Sequence, residues 1–469
     1  MDRLGTLSLD ALGTLYEKPV RATRGGALYN AFSYPTKISP ETAALFIASH
    51  TQPGAVVFDG FAGSGSTGLG VLLAANPPEL LKQLARKLGM PVTWGPRRAV
   101  LYEIGVLGSL IGRVLCAPPD PNEFRRAATE LLDETEKEFG WVYGAHDPEN
   151  QVGSIRFVVW SDVLECPRCK ERTSLWDACV TLNPASIDRL FRCPVCGCER
   201  QLDDVERLVE VVHDDLLGRR HKRRQRCIGR VYGATERHMW ARSVCDADLD
   251  LVKRLEDEPI PSSVPVAPIS WGDLFRSGYH EGMTHLHHFY TRRNLIALGR
   301  LWDRIGHYPS HLTDALRFWI LSYNAAHSTI MARVVAKKDH DDLVVTGAQT
   351  GVLYVSGLPV EKNIFRGLRH ELKTIVHAFS TTHGHSDLVE VRNASSLTVE
   401  LGDGTVDYIF TDPPFGGNIP YAEINFINEA WLGSITDNTD EAIISPHQHK
   451  GIDEYELLIS TEYHDGFRV

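Results

Sequence analysis

The sequence predicts an α/β fold: a doubly wound parallel sheet, split by a large mixed insertion that carries its own paired cysteines. Three observations predict it. Apolar runs, glycine turns and helical stretches alternate over residues 31–118, the alternation returns at 387–412, and two Cys-x-x-Cys pairs lie between. Strand, turn, helix, strand is the pattern of a parallel sheet covered by helices.

The elements follow in order. SPETAALFIASH (39–50) reads as a helix, with Ser39 as its cap and Pro40 at its first position. AVVFDGF (55–61) suits a strand buried on both faces, and RRAVLYEI (97–104) is a second. A helical GLGVLLAAN follows the first strand and VLGSLIGRVL follows the second. NEFRRAATELLDETEKEFG (122–140) places Phe124, Ala128, Leu131, Thr135 and Phe139 on one helical stripe. PIPSSVPVAPIS (259–270) reads as a linker or strap, and 291–336 as two core helices. DLVEVRNAS (387–395) and TVDYIFTD (405–412) are strand-like. The expected organisation is therefore 1–120 and 381–469 as two parts of one sheet domain. Residues 121–380 form an insertion too long to be a loop.

Bulk properties bound the function. The 469 residues are 43% hydrophobic and 23% charged, an ordinary globular composition. The N-terminus lacks the basic start and apolar run of a secretion signal, and no stretch reaches membrane-span length, so a cytoplasmic location is expected. The net charge of −11 speaks mildly against nucleic acid, but position matters more than the total. Gly218 to Arg230 packs seven Lys/Arg into thirteen residues, either a solvated loop or a phosphate-contacting patch.

The nine cysteines are odd in number, and four form pairs, which points to metal binding and away from disulfides. Cys166, Cys169, Cys193 and Cys196 make two knuckles separated by 23 residues, a tetrahedral thiolate set suited to structural Zn2+ in a ribbon over about 160–200. An iron centre or free thiols are the alternatives, and Cys198 is a rival fourth ligand. His280, His285, His287 and His288 are expected to face solvent or pack in the core.

Asp59-Gly-Phe-Ala-Gly-Ser-Gly-Ser-Thr-Gly68 links the first strand to its helix, and the second strand ends in Glu103, placed to hold ribose hydroxyls. Glycines admit a nucleoside close to the backbone. Asp412-Pro-Pro-Phe415 follows the last strand. Exposed, it would be a plain turn. As a site, Asp412 and the Pro413 carbonyl accept hydrogen bonds from an amine, Pro413 and Pro414 fix the backbone, and Phe415 offers a flat face to an extruded base.

DGFAGSGST and DPPF together resemble the amino-methyltransferases that use S-adenosyl-L-methionine (SAM), in particular prokaryotic N4-cytosine/N6-adenine DNA methylases with a zinc ribbon. The resemblance covers 30–110 and 385–433, and extends to HLHHFYTRRNLIALGRLWDRI and DPPFGGNIPYAEINFINEAWL. It implies a Rossmann-like sheet and cofactor binding by Lys37 of YPTKISPE, Asp59, Phe61, Ala62, Gly63, Gly65, Thr67 and Glu103. Asn393 stands where the family more often has Asp against the SAM adenine amine.

The implied activity is methyl transfer to a base amine in DNA, adenine ahead of cytosine. The alternatives are guanine-N2 methylation of RNA and a non-catalytic nucleic-acid-binding remnant. Family members continue past the tetrapeptide with further strands, whereas 54 residues follow Phe415 here. The expectation is a sheet lacking its C-terminal strands, with a second polypeptide to complete it.

Overall fold

The computed structural model describes residue 20 and residues 25–417 and 419–469; the N-terminal stretch read for a secretion signal lies outside them. Two compact units emerge. One holds the described residues up to Ala128 with Pro309–Ser322 and Glu371–Val469; the other holds Thr129–Tyr308 and Tyr323–His370. Residues 309–322, inside the expected insertion, thus belong to the sheet-bearing unit. Among the described residues no helix is long and apolar enough to cross a membrane.

The first unit is built on a four-stranded sheet. Its strands are β1 (Val56–Asp59), β2 (Arg98–Tyr102), β3 (Val389–Arg392) and β4 (Tyr408–Ile409). They are all parallel in the order β3-β2-β1-β4, so the chain leaves the middle of the sheet in opposite directions from β1. Helices α1 (Pro40–His50), α2 (Ser66–Ala75), α3 (Val106–Cys116), α4 (Tyr421–Leu432) and α5 (Ile452–Arg468) complete the labelled elements. Ser39 caps α1 as expected, its hydroxyl accepting from Thr42 N–H at 3.4 Å.

Alternation along the strands divides the core. Val57 and Leu101 pack with Ala43, Ile47 and Val71 on one face, while Phe58 and Tyr102 meet Val399 and Val469 on the other. Two glycines of the first turn are geometric necessities. Gly65 has φ +81°, and a Cβ on Gly68 would stand 2.8 Å from both Leu101 and Val389.

Strand β4 is shorter than the expected 405–412. Asp407 turns its carboxylate to accept Val56 N–H at 2.8 Å, and Phe410 N–H makes a last bond to Phe58 O at 3.0 Å. Pro413 and Pro414 have no N–H to continue the ladder. The helix Pro121–Phe139 buries all five stripe residues named above. The second helix expected within 291–336 stops earlier: Ser310–Tyr323 is helical, Asn324–Ser328 widens into a π-turn, and Arg333–Val335 is a strand.

The second unit carries an antiparallel sheet ordered Met239–Arg242, Arg226–Ala234, Val152–Glu165, Val360–Lys362. The basic run corrects a reading: it is no solvated loop. Arg219–Arg224 pairs antiparallel with Val209–Asp214, and the next residues enter the sheet. Its cations divide. Arg224 and Arg226 turn inward onto buried Asp162, at 3.8 and 3.0 Å, and Arg223 is held by Glu210 at 2.8 Å. Arg219 and Arg220 stay exposed, without an ion pair among the described residues.

Candidate functional site

The carboxyl ends of β1, β2 and β4 open into one cleft. Its lining includes Tyr34, Lys37, Asp59, Phe61, Ala62, Gly63, Thr67, Glu103, Ser396, Asp412, Pro414, Tyr421, Asn425 and Glu462. It is an open cleft whose atom-free space, open solvent at its mouth included, is about 1010 Å3. Open parallel sheets bind ligands at this position, where strand order reverses. Glu103 follows β2 on one flank of β1, and Asp412 follows β4 on the other.

Burial dominates the electrostatics. The Glu103 carboxyl accepts Gly63 N–H at 2.5 Å and Gly105 N–H at 2.6 Å, yet desolvation pushes it up to about 8. Asp59 is raised by burial to about 6 although Thr67, Thr411 and Phe61 N–H all donate to it. Those three bonds tie β1, α2 and the residue before Asp412 together, so Asp59 organises the turn as well as lining the cleft. Asp412 is half-buried, and desolvation raises its carboxyl. Burial pulls the Lys37 ammonium down to about 8; it donates to Leu28 O at 2.9 Å and Tyr29 O at 3.2 Å.

Four expected residues stand differently. Gly65 shapes the start of α2 outside the lining, and Pro413 also lies outside it. Phe415 is 73% exposed. Asn393 gives its amide N–H groups to Glu103 O at 2.8 Å and Ile104 O at 3.0 Å, which clamps the exit of β3 to that of β2. Other residues escaped sequence reasoning. Tyr421 bonds Thr36 at 2.6 Å and stacks near Tyr34; Tyr455 OH donates to Pro414 O at 2.6 Å, pinning the tetrapeptide. Tyr421 and Asn425 lie within the quoted DPPFGGNIPYAEINF stretch, a usable signal. Nothing local marks Ser396, Tyr455 or Glu462.

In the second unit the four paired cysteines converge as their spacing predicts. Cys166 and Cys196 sulfurs are 3.7 Å apart, Cys169 and Cys193 sulfurs 3.6 Å, and all four lie within 4.8 Å of one another. A tetrahedron with metal–sulfur bonds of about 2.3 Å separates its sulfurs by about 3.8 Å, so the set can hold a metal ion and is compatible with structural zinc. Within the set the thiols divide: backbone N–H groups of Cys169 and Arg168 pull Cys166 down, toward the thiolate a metal needs, while desolvation and bonds to the other cysteines push Cys169 up. Cys198 lies outside this set.

Asp214, His287 and His288 also converge. Tautomer chemistry opposes a metal there: His288 Nδ1 accepts N–H bonds from Thr284 and His285, so its Nε2 carries the proton and donates to Asp214 Oδ2 at 2.9 Å. His280 is likewise a core residue, donating to Leu353 O and stacked on Trp271.

Comparison with protein-family models, with curated proteins and with solved structures finds no match for this chain.

Proposed function

We propose that the chain is a SAM-dependent amino-methyltransferase that methylates the exocyclic amine of a nucleic-acid base, adenine N6 in DNA ahead of cytosine N4. One observation carries the reading: Gly63, Glu103 and Asp412, far apart in sequence, line a single cleft at the carboxyl ends of adjacent parallel strands.

The acids of the cleft support this choice of cofactor. The lining holds the acids Asp59, Glu103, Asp412, Asp440, Glu441 and Glu462 against one lysine, an environment for a cationic sulfonium and ammonium and hostile to a dinucleotide's pyrophosphate. Glu103, already bonded to Gly63 N–H, would take the ribose hydroxyls beside the glycine turn. SAM supplies an electrophilic methyl group when bound.

The chain's own residues prepare the acceptor. A base amine is a weak nucleophile because its lone pair is delocalised into the ring. An Asp412 carboxylate accepting one amine N–H lets density build on nitrogen and takes the proton released when the N–C bond forms. Tyr455 on the Pro414 carbonyl keeps that carboxylate from wandering. Exposed Phe415 offers a stacking face for a base drawn out of its helix. Arg219 and Arg220 supply phosphate contacts, and zinc in the cysteine cluster holds its ribbon together.

Labelled methyl incorporation into DNA and into tRNA tests the reading. Expected is transfer to DNA, lowered about a hundredfold or more by Asp412→Ala. Transfer to tRNA alone, or transfer indifferent to Asp412→Ala, overturns it.

A further inference from the structure

Asp162 is surrounded by more positive charge than it can balance. Strand pairing puts that charge on one face of the second unit's sheet. Arg226 lies opposite Asp162, Arg207 bridges Leu164, and Arg333 bridges Pro359, whose carbonyl accepts Trp160 N–H at 2.9 Å. Trp160, Asp162 and Leu164 alternate onto the same side of Val152–Glu165. Arg207, Arg226 and Arg333 therefore project from that side too. Arg224 joins them from the adjoining hairpin.

The contacts do not satisfy this group. Asp162 Oδ1 accepts Arg226 Nε–H at 3.0 Å. Arg207 Nε and Arg224 Nη1 stand 3.7 and 3.8 Å from Oδ2, too far for hydrogen bonds. None of these three arginines has another ion pair among the described residues, and Glu281, which Arg224 also senses, is held by Lys222 at 3.0 Å. Three guanidinium groups thus face one carboxylate. Arg224 is 9% exposed, and its Nε and Nη1, like Arg333 Nη1, are buried with no hydrogen-bond partner among the described residues. Buried donors of native proteins are almost always paired, and like charges repel strongly where water is scarce.

An anion offsets the surplus. Solvent reaches the group through Arg207 and Arg226, whose side chains are 26% and 20% exposed, while Arg224 adds its charge from beneath. Guanidinium groups grip phosphate oxygens in pairs, which a compact ammonium cannot do. The strand that carries Arg224 begins with Arg219 and Arg220, both exposed and without an ion pair among the described residues. A track of cations ending in such a cluster suits a chain of phosphates better than an isolated acidic side chain.

We propose that Arg207 and Arg226, backed by Arg224, form a phosphate site, and that the phosphate belongs to a nucleic-acid backbone. Only the source of the phosphate rests on the function proposed above.

The test uses the full chain and its Arg207→Met and Arg207→Lys variants. The Arg207 side chain makes no hydrogen bond among the described residues, so methionine keeps its apolar stem and removes only charge. Affinity for a fluorescent DNA duplex is measured over a range of salt. Arg207→Met should bind about tenfold more weakly and lose about 1 from the log–log salt slope, whereas Arg207→Lys should keep the slope. The slope reports the folded fraction alone, so partial unfolding does not imitate the effect. A second arm titrates inorganic phosphate at constant ionic strength and follows the thermal midpoint. A midpoint that rises in the wild type alone, with DNA binding equal in all three proteins, keeps the site and overturns its nucleic-acid source. A slope unmoved by Arg207→Met with no response to phosphate, or lost as fully in Arg207→Lys, overturns the proposal. Methyl transfer measured on the same preparations separates that outcome from failure of the proposed function.

Discussion

The cleft of the parallel sheet and the cysteine cluster of the second unit treat charge differently. In the cleft, burial raises Asp59, Glu103 and Glu462 alike, so its acids resist ionising. In the cluster the thiols divide: backbone N–H groups draw Cys166 toward its anion, while desolvation and the bonds to the other cysteines hold Cys169 up. On the proposed reading, a cationic ligand would relieve the desolvation of the cleft acids, whereas a metal in the cluster would displace the protons its thiols share out unequally.

The largest expected effect breaks the second half of that comparison. Cys166→Ser should abolish stoichiometric zinc in freshly purified protein and forfeit much of about 10 kcal/mol of metal-linked folding free energy in the ribbon. Elemental analysis checks it; zinc-free wild-type protein would show that the thiols stand alone.

A smaller effect sharpens the first half. Glu462 has an ordinary value of 4.5 and a folded value of about 8. The folded state thus keeps a proton that the unfolded chain releases. Wild-type stability from this group is complete below pH 4.5 and is lost as pH rises toward 8. Glu462→Gln, a fixed mimic of the neutral acid, should lose nothing over that window and should exceed the wild type at pH 8 by on the order of 2–4 kcal/mol. Parallel urea curves at pH 5 and pH 8 measure it. An equal decline in both proteins would mean that Glu462 is ionised.

Smallest is the effect on the basic hairpin. Neutralising Arg219 and Arg220 should lower the log–log salt slope of DNA binding by about 2 at every sequence. Arg224 belongs to the Asp162 cluster, so its loss should instead destabilise the fold. A salt slope that does not move would leave Arg219 and Arg220 as plain solvated residues.

What was legible in the sequence follows the distance over which it acts. The cysteine ligands lie within Cys166–Cys196, and spacing alone brought them together. The glycine turn and β1 are equally local. The union of Gly63, Glu103 and Asp412 needed the sheet order, which the alternation of elements implied. Ser396, Tyr455 and Glu462 were not legible, because each acquires its place only when α5 and the loop after β3 fold against the turn at Gly60. Asn393 was legible as a position, but the clamp its amide N–H groups make to the backbone after β2 was not. The basic run hid its divided nature because Asp162, which draws in Arg224 and Arg226, lies on a strand more than 55 residues earlier.

Calorimetric titration of SAM into the full chain, its Glu103→Ala variant and its Asp412→Ala variant tests the central claim most directly. The account predicts one site in the wild type, binding weakened about tenfold or more by Glu103→Ala, and binding largely retained in Asp412→Ala, which would no longer transfer methyl groups. No heat of binding in the wild type, or binding indifferent to Glu103→Ala, would contradict it.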